Sequence, residues 1–304
     1  MESNILLSLC IPTNGATQWV IPALEAIYNQ ECDTSLFEVI ITDNGADNTL
    51  ADAVKKYQYS NLYYHKTNAK GFYNLVLAME YGKGMFIKML NHRSILLPGS
   101  IKEILNLINE NKKEQPLIYF SDGKLGSQSY IKCDNFESFV SSMSYWSSWS
   151  AGISIWQKDI SLLKKITYNK MFPNTSLIFE VRKQSQYLIW NKKYQNLQDD
   201  TGKGGYNIFK TFAVDYLDIL TELRIQGRIS IKTFNKIRKE LYPFLRSFYY
   251  QTVINKSKYS FQTENAKEYI CLYYSPIEYY AMILWSSLKY PLKEIRFFLK
   301  KILK

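Results

Sequence analysis

The sequence predicts an α/β fold: a mainly parallel sheet in the first part of the chain, followed by a mostly helical C-terminal region. Short apolar runs of strand length alternate with helical spacing through the first half of the chain. From Ile208 onward the apolar period is helical throughout. The charge divides at nearly the same place: Arg224 to Lys304 holds 16 Lys and Arg against 5 Glu, whereas the first 223 residues hold 22 of each sign and sum to zero.

Ile5 to Ile11 is a continuous apolar run, the pattern of a strand covered on both faces. It stops at Pro12-Thr13-Asn14-Gly15, a turn. Val20, Leu24 and Ile27 then repeat at helical spacing to Tyr28. Phe37 to Thr42 is a second buried strand, closed by Asp43-Asn44-Gly45, with a helix expected over Leu50 to Tyr57. Asn61 to His65 reads as a third strand, Gly71 to Tyr81 as a helix and Met85 to Leu90 as a fourth strand. That strand ends on Asn91-His92-Arg93, and Ser100 is expected to cap the helix after Pro98-Gly99. Strands and helices alternating at this spacing imply right-handed βαβ units.

Leu117 to Ser121 and Ala151 to Trp156 continue the strands, with Asp122-Gly123 turning after the first. Ser141 to Ser150 is aromatic and serine-rich, either a mobile loop or a sugar platform, and its Trp146 and Trp149 either pack inward or stack on a ligand. Leu177 to Val181 and Tyr187 to Trp190 close the mixed part. Asp199 to Asn207 is expected as a flexible, glycine-rich connector and lacks the spacing of a phosphate-binding P-loop. The expected organisation is therefore residues 1–207 as the α/β domain and 208–304 as the basic helical region.

In the helical region Phe212, Tyr216, Leu217 and Leu220 share one face, as do Ile231, Phe234, Ile237 and Leu241. Tyr279, Ile283, Leu284 and Leu288 continue the pattern. Pro291 to Lys304 is amphipathic, with Ile295, Phe298, Leu299 and Ile302 on one side and Lys293, Arg296, Lys300 and Lys304 largely elsewhere.

Composition excludes several classes. Hydrophobic residues make up 46% of the 304, enough for a sizeable core. No run approaches the roughly 20 apolar residues of a membrane span. No signal peptide is expected from the acidic, polar start Met1-Glu2-Ser3-Asn4. Cys10, Cys32, Cys133 and Cys271 lack paired spacing and read as reduced thiols of a cytoplasmic protein. With His65 and His92 the only histidines, a histidine zinc site is not expected.

In a doubly wound sheet the strand ends Pro12-Thr13-Asn14, Asp43-Asn44 and Asn91-His92-Arg93 border one crevice. They combine a carboxylate, amides, a hydroxyl and cations, a mixture suited to a nucleotide: acceptors for ribose and base, positive charge for a diphosphate. Ser8-Leu9-Cys10-Ile11-Pro12-Thr13-Asn14 resembles the opening motif of family 2 glycosyltransferases with the Rossmann-like GT-A fold. Val39 to Thr49 resembles their second motif, Asn68 to Asn74 their third, and Phe86 to Ser100 their strand, D-x-D and L-x-P-G-S block. The likeness covers about residues 4 to 160. The later part is similar in style to bacterial capsule and O-antigen enzymes, at Phe172-Pro173-Asn174-Thr175 and Gly204-Gly205-Tyr206-Asn207.

The resemblance implies inverting transfer from a nucleotide sugar, usually a UDP-sugar. By that likeness Pro12 and Thr13 line the base pocket, Asp43 accepts from base or ribose, Lys70 and Asn74 flank the nucleotide, and Asn91 and Arg93 stand where D-x-D has its two carboxylates. Arginine cannot hold a divalent cation, which speaks against the Mg²⁺ or Mn²⁺ the family usually binds. Two readings stay open. In one, Arg93 and His92 replace the metal's electrostatic task. In the other, the chain is a non-catalytic nucleotide-sugar-binding or accessory subunit. The segment where the family keeps its general base, Phe172 to Ser176, has no carboxylate, which leaves Glu180, Asp122 and His92 as candidates. A lipid-linked surface-polysaccharide glycan is the expected acceptor. The basic C-terminal region then suits the anionic inner face of the cell membrane, and no nucleic-acid-binding motif accompanies its charge.

Overall fold

The computed structural model describes residues 5–181, 186–199, 201–256 and 259–302; the side chains of 289–291 and 293–302 fall outside that description. The chain divides into two compact units, Met1–Asp199 and Asp200–Lys304.

The first unit runs β1 (Leu7–Thr13), α1 (Thr17–Tyr28), β2 (Phe37–Asp43), α2 (Thr49–Val54), β3 (Leu62–Lys66), α3 (Asn74–Glu80), β4 (Phe86–Met89), β5 (Ser94–Leu96) and α4 (Ser100–Asn111). It continues through β6 (Leu117–Phe120), β7 (Tyr130–Cys133), α5 (Phe136–Met143), β8 (Ser154–Trp156), α6 (Pro173–Glu180), β9 (Tyr187–Trp190) and β10 (Gln195–Leu197). The central sheet has the order β3-β2-β1-β4-β8. Its first four strands are parallel and β8 closes the edge antiparallel to β4. This is the expected α/β class.

The register explains why the apolar runs form strands. Leu7, Leu9 and Ile11 lie beside Phe37, Val39 and Ile41, all buried. Covered on both faces, each such side chain contributes about 1.5–3 kcal/mol of transfer free energy, and helices α1 and α4 supply part of the cover. At the other end of the strands Ser8 donates to Glu38 at 2.6 Å, and that carboxylate also accepts the Lys83 N–H. A buried polar pair thus ties β1 and β2 to the turn entering β4.

Several expectations are corrected. Ser100 is not the cap of α4: Gly99 takes that place at φ +81°, and the Ser100 hydroxyl donates to the Tyr194 carbonyl at 2.7 Å. β6 leaves the central sheet and pairs with β9, which pairs in turn with β7, in a second sheet of order β6-β9-β7. Leu177 belongs to α6, opened by Pro173 in its first turn. Ser141 to Ser150 is not an irregular loop. It ends α5 and continues in 3-10 turns, whose Ser147 and Ser148 carbonyls accept from buried Asn174 and Thr175 of α6.

The second unit comprises β11 (Gly204–Asn207), α7 (Ile208–Lys210), α8 (Tyr216–Ile225), α9 (Ile231–Tyr249), β12 (Ser260–Gln262), α10 (Ala266–Cys271) and α11 (Pro276–Ile302), with π-helical turns after α7 and α9. The glycine-rich connector is in part a strand, because β11 pairs parallel with β12. At Gly204, with φ +156°, a Cβ would stand 2.3 Å from the Ser260 carbonyl carbon, so only glycine allows this approach. Tyr216, Leu217, Leu220, Phe234, Ile237 and Leu241 are buried as expected. Tyr279, Met282 and Ser286 form the buried face of α11, while Leu284 and Leu288 are exposed, contrary to the face expected. The basic and apolar sides read for Pro291 to Lys304 lie outside the described side chains. Among the described residues no helix is long and apolar enough to cross a membrane.

Lys88 on β4 is fully buried. Its ammonium donates to the carbonyls of Met89 (2.8 Å) and Ala151 and lies 4.5 Å from the Phe120 ring centre. Burial pulls its pKa down to about 7, against the nearby Asp122 carboxylate. The unfolded lysine titrates near 10.4, so between these values the unfolded chain binds more protons and this group's contribution to stability improves as pH rises. The stability advantage of Lys88→Met over the parent is therefore expected to fall by about 2 kcal/mol between pH 7 and pH 9. Urea unfolding at the two pH values checks it, and a constant difference refutes it.

Candidate functional site

Parallel pairing brings the carboxyl ends of β1, β2 and β4 to one edge of the sheet. Thr13 lies beside Asp43 in the register, the Asn44 N–H donates to the Thr13 carbonyl at 3.1 Å, and the Leu90 N–H donates to Cys10 at 2.7 Å. The three polar strand ends are therefore neighbours.

Asp43 is fully buried. One carboxylate oxygen accepts the Gly45 N–H at 2.7 Å; the other accepts from the Tyr64 hydroxyl at 2.7 Å and from Lys66 at 3.2 Å. Lys66 also donates to the Asp47 carbonyl. Burial and the adjacent Asp43 push the Tyr64 phenol up, so it stays a neutral donor. Gly45 packs close against the first turn: a Cβ there would meet the Asn14 carbonyl oxygen at 2.7 Å. Asp47 accepts the Thr49 N–H at 2.9 Å at the start of α2, which holds its carboxyl below the usual range.

The third motif is stitched to the same edge. The Asn44 amide donates to Ala69 (2.9 Å) and Gly71 (3.3 Å). Asn74 is buried, and its amide donates to the carbonyls of Thr13 (3.0 Å) and Thr42 (2.8 Å) while its oxygen accepts from Thr67 (2.8 Å). Asn74 bridges two strands. Lys70 is exposed between these anchors, Asn14 is exposed and Pro12 half-buried.

The Asn91 side chain accepts the Arg93 N–H at 2.9 Å and turns the chain after β4. His92 Nδ1 lies 3.2 Å from the Thr13 hydroxyl. The Arg93 guanidinium sits 4.6 Å from the Trp19 ring centre, and its Nη1 donates to the Asp199 carbonyl at 3.2 Å. Gln198 fixes this arrangement from the other side: its N–H donates to the Arg93 carbonyl at 2.9 Å and its amide to the Trp19 carbonyl at 2.9 Å. β5 and β10, an antiparallel pair that the sequence did not reveal, bring Gln198 there.

The two remaining candidates stand on other elements. Asp122 follows β6 of the second sheet at φ +52°, and its carboxylate accepts the N–H groups of Tyr194 (3.0 Å) and Gln195 (3.3 Å). Burial raises its pKa, opposed by those two donors. Its geometry is that of a loop anchor. Glu180 ends α6, half-buried. Tyr64, Lys66, Thr67 and Trp19 went unnoticed as site residues. The signal for Lys66 was the length of β3, which runs one residue past the expected end at His65 and so reaches Asp43.

Asn91, His92 and Arg93 supply an amide, an imidazole and a permanent cation. That set does not fit a hard divalent cation, which takes oxygen donors, mainly carboxylates. Among the described residues no group of three or more His, Cys, Asp or Glu side chains is arranged to hold a metal ion.

The family profile described as "Glycosyl transferase family 2" matches residues 8–203. Comparison with curated protein sequences gives no match. Among solved structures, S. aureus TarS residues 1–349 superposes with TM-score 0.57 at 12% identity, over 82% of this chain and 75% of that one. The same fragment in complex with UDP-GlcNAc gives 0.55 at 14% identity, over 81% and 73%. Its complex with UDP gives 0.53 at 14% identity, over 81% and 72%. At these identities the likeness establishes a common GT-A fold.

Removing Asp43 takes the acceptor from the Tyr64 hydroxyl and the Gly45 N–H and the carboxylate partner from Lys66. Asp43→Ala is expected to lower the unfolding free energy by about 3 kcal/mol. Lys66→Met, at a side chain 36% exposed, is expected to cost about 1 kcal/mol or less. Chemical denaturation of both variants checks the contrast; equal losses would show that the ion pair, not the buried carboxylate, holds the edge.

Proposed function

The chain belongs to glycosyl transferase family 2 and is a glycosyltransferase; we propose that it moves one sugar, with inversion, from a UDP-sugar to a lipid-linked surface-polysaccharide acceptor. The observation that carries this reading is the convergence of Thr13, Asp43, Asn44 and His92 at one sheet edge, with Arg93 where the family has a carboxylate. TarS, which shares the fold, is known in complex with UDP-GlcNAc, and a uridine diphosphate sugar is the donor class assigned here. Thr13, Asn14, Asn44 and Lys70 border the nucleotide. Asp43 and Asn74 act from behind, holding the strand ends that carry those groups.

In the transfer the acceptor oxygen bonds to the anomeric carbon. The bond from that carbon to the diphosphate oxygen breaks, and its electron pair leaves with UDP. Negative charge grows on the diphosphate. Arg93 meets it with a cation held in place before reaction by Trp19 and the Asp199 carbonyl, and such preorganised charge lowers the barrier without reorganisation. The acceptor hydroxyl gives up its proton to His92 or Glu180, since the Asp122 carboxylate is engaged by backbone N–H groups. We assign the reaction to the cytoplasmic face of the cell membrane, where the basic residues of Arg224 to Lys304 suit anionic headgroups.

Arg93→Ala is expected to lower kcat/KM about 100-fold or more and Asn91→Ala less than about tenfold, because only the arginine brings charge. Activity is expected to persist in excess chelator. A panel of UDP-sugars assayed with and without EDTA checks both; loss of activity in EDTA, or equal effects of the two variants, refutes the assignment of Arg93. Loss of kcat in only one of His92→Gln and Glu180→Gln, with loss of the corresponding limb of the pH–rate profile, identifies the base.

A further inference from the structure

Helix α11 is apolar on two sides. Tyr279, Met282 and Ser286 are buried within the second unit, where Ser286 donates to the Arg246 carbonyl of α9 at 3.1 Å. Ile277, Tyr280, Leu284, Trp285, Leu288 and Leu292 are all exposed, from 46% for Trp285 to 81% for Ile277. At 100° per residue these six fall in an arc of about 140° opposite the buried face. They extend along about 22 Å of helix. Of the 17 large hydrophobic side chains exposed among the described residues, six lie on this one strip. A contiguous apolar strip of this kind marks a contact surface rather than the ordinary scatter of surface leucines.

The strip is edged by cations. Lys267 of α10 donates to the Tyr280 hydroxyl at 2.9 Å and lies 5.1 Å from its ring centre. Arg246 of α9 lies 5.2 Å from the Trp285 ring centre. The carboxylate of α11 in this stretch, Glu278, is engaged by Arg238 at 3.3 Å and by the Ser275 N–H at 2.7 Å. The helix then runs on to Ile302 through a sequence carrying Lys293, Arg296, Lys300 and Lys301 against Glu294. Leucines between a tryptophan and a tyrosine, each bearing a cation, match the layering of a bilayer surface. There acyl chains meet the apolar residues, aromatic rings sit at headgroup depth and lysines and arginines meet phosphates.

We propose that this exposed face of α11 lies flat on an anionic lipid bilayer, with Leu284 and Leu288 at its centre and Lys267 and Arg246 at its rim. The proposal rests on the membrane assignment above and names the surface that makes the contact. Charge complementarity selects the occupant: the chain carries +11 between Arg224 and Lys304, and a second copy would bring the same positive charge against itself.

Co-sedimentation of the full chain with phosphatidylcholine vesicles, with and without phosphatidylglycerol, tests this. The parent chain is expected to bind the anionic vesicles, more weakly at high salt, and to bind pure phosphatidylcholine poorly. Leu284→Glu/Leu288→Glu is expected to lower binding roughly tenfold or more, with the circular dichroism and the transfer rate to a water-soluble acceptor unchanged. Lys267→Glu is expected to weaken binding to the anionic vesicles alone. If the parent binds and the leucine variant binds equally, this face is the wrong one while the membrane assignment stands. If the parent does not bind while transferring sugar, the membrane assignment fails together with this face. If light scattering finds a parent dimer that the leucine variant turns into a monomer, the face belongs to a second copy and the proposal is overturned.

Discussion

Asp43 ends β2 out of contact with water, and three donors converge on it: the Gly45 N–H, the Tyr64 hydroxyl and the Lys66 ammonium. A carboxylate so placed persists only when its oxygens are satisfied. The same bonds that satisfy it fix the turn after β2 and the end of β3. That turn packs against Asn14 through Gly45, and the loop after β3 is tied back by Asn44 and Asn74. The crevice therefore has one electrostatic centre lying behind its surface, and the exposed residues at its mouth inherit their positions from it.

The parts of this fold visible in the sequence are those whose stability is local in pattern. Phe37 to Thr42 reads as a strand because every residue is buried on one face or the other, and Asp43-Asn44-Gly45 reads as its end because those residues favour turns. β5 and β10 were not legible. Each is three residues long, and each exists because it pairs with the other across about a hundred residues of chain. Asp122 shows the same limit at the site. A carboxylate at a strand end reads as a candidate base, but its role is set by Tyr194 and Gln195, and no local pattern links those to residue 122. On α11 the apolar period was correct and the face was not. Two sides of that helix are hydrophobic, and periodicity alone does not say which one the unit covers.

Arg93 and Lys88 illustrate opposite uses of a cation five residues apart. Lys88 lies in the interior, where desolvation favours its neutral form, and it serves as a strut between β4 and the turn at Ala151. Arg93 stands beyond the end of β4, outside the core that encloses Lys88. It rests on the Trp19 ring and donates to the Asp199 carbonyl. A guanidinium stacked in that way remains an effective donor to phosphate oxygens, the property that the role proposed for Arg93 requires.

The pairing of β5 with β10 also sets an order of events during synthesis. Residues 5 to 90 contain the four parallel strands of the central sheet. The environment of Arg93 needs Gln198 and Asp199, which emerge about a hundred residues later. At roughly 5–20 residues per second that interval is on the order of 5–20 seconds. For that time Arg93 has been made but its anchors have not, so the surroundings of its guanidinium are completed only with the last residues of the first unit.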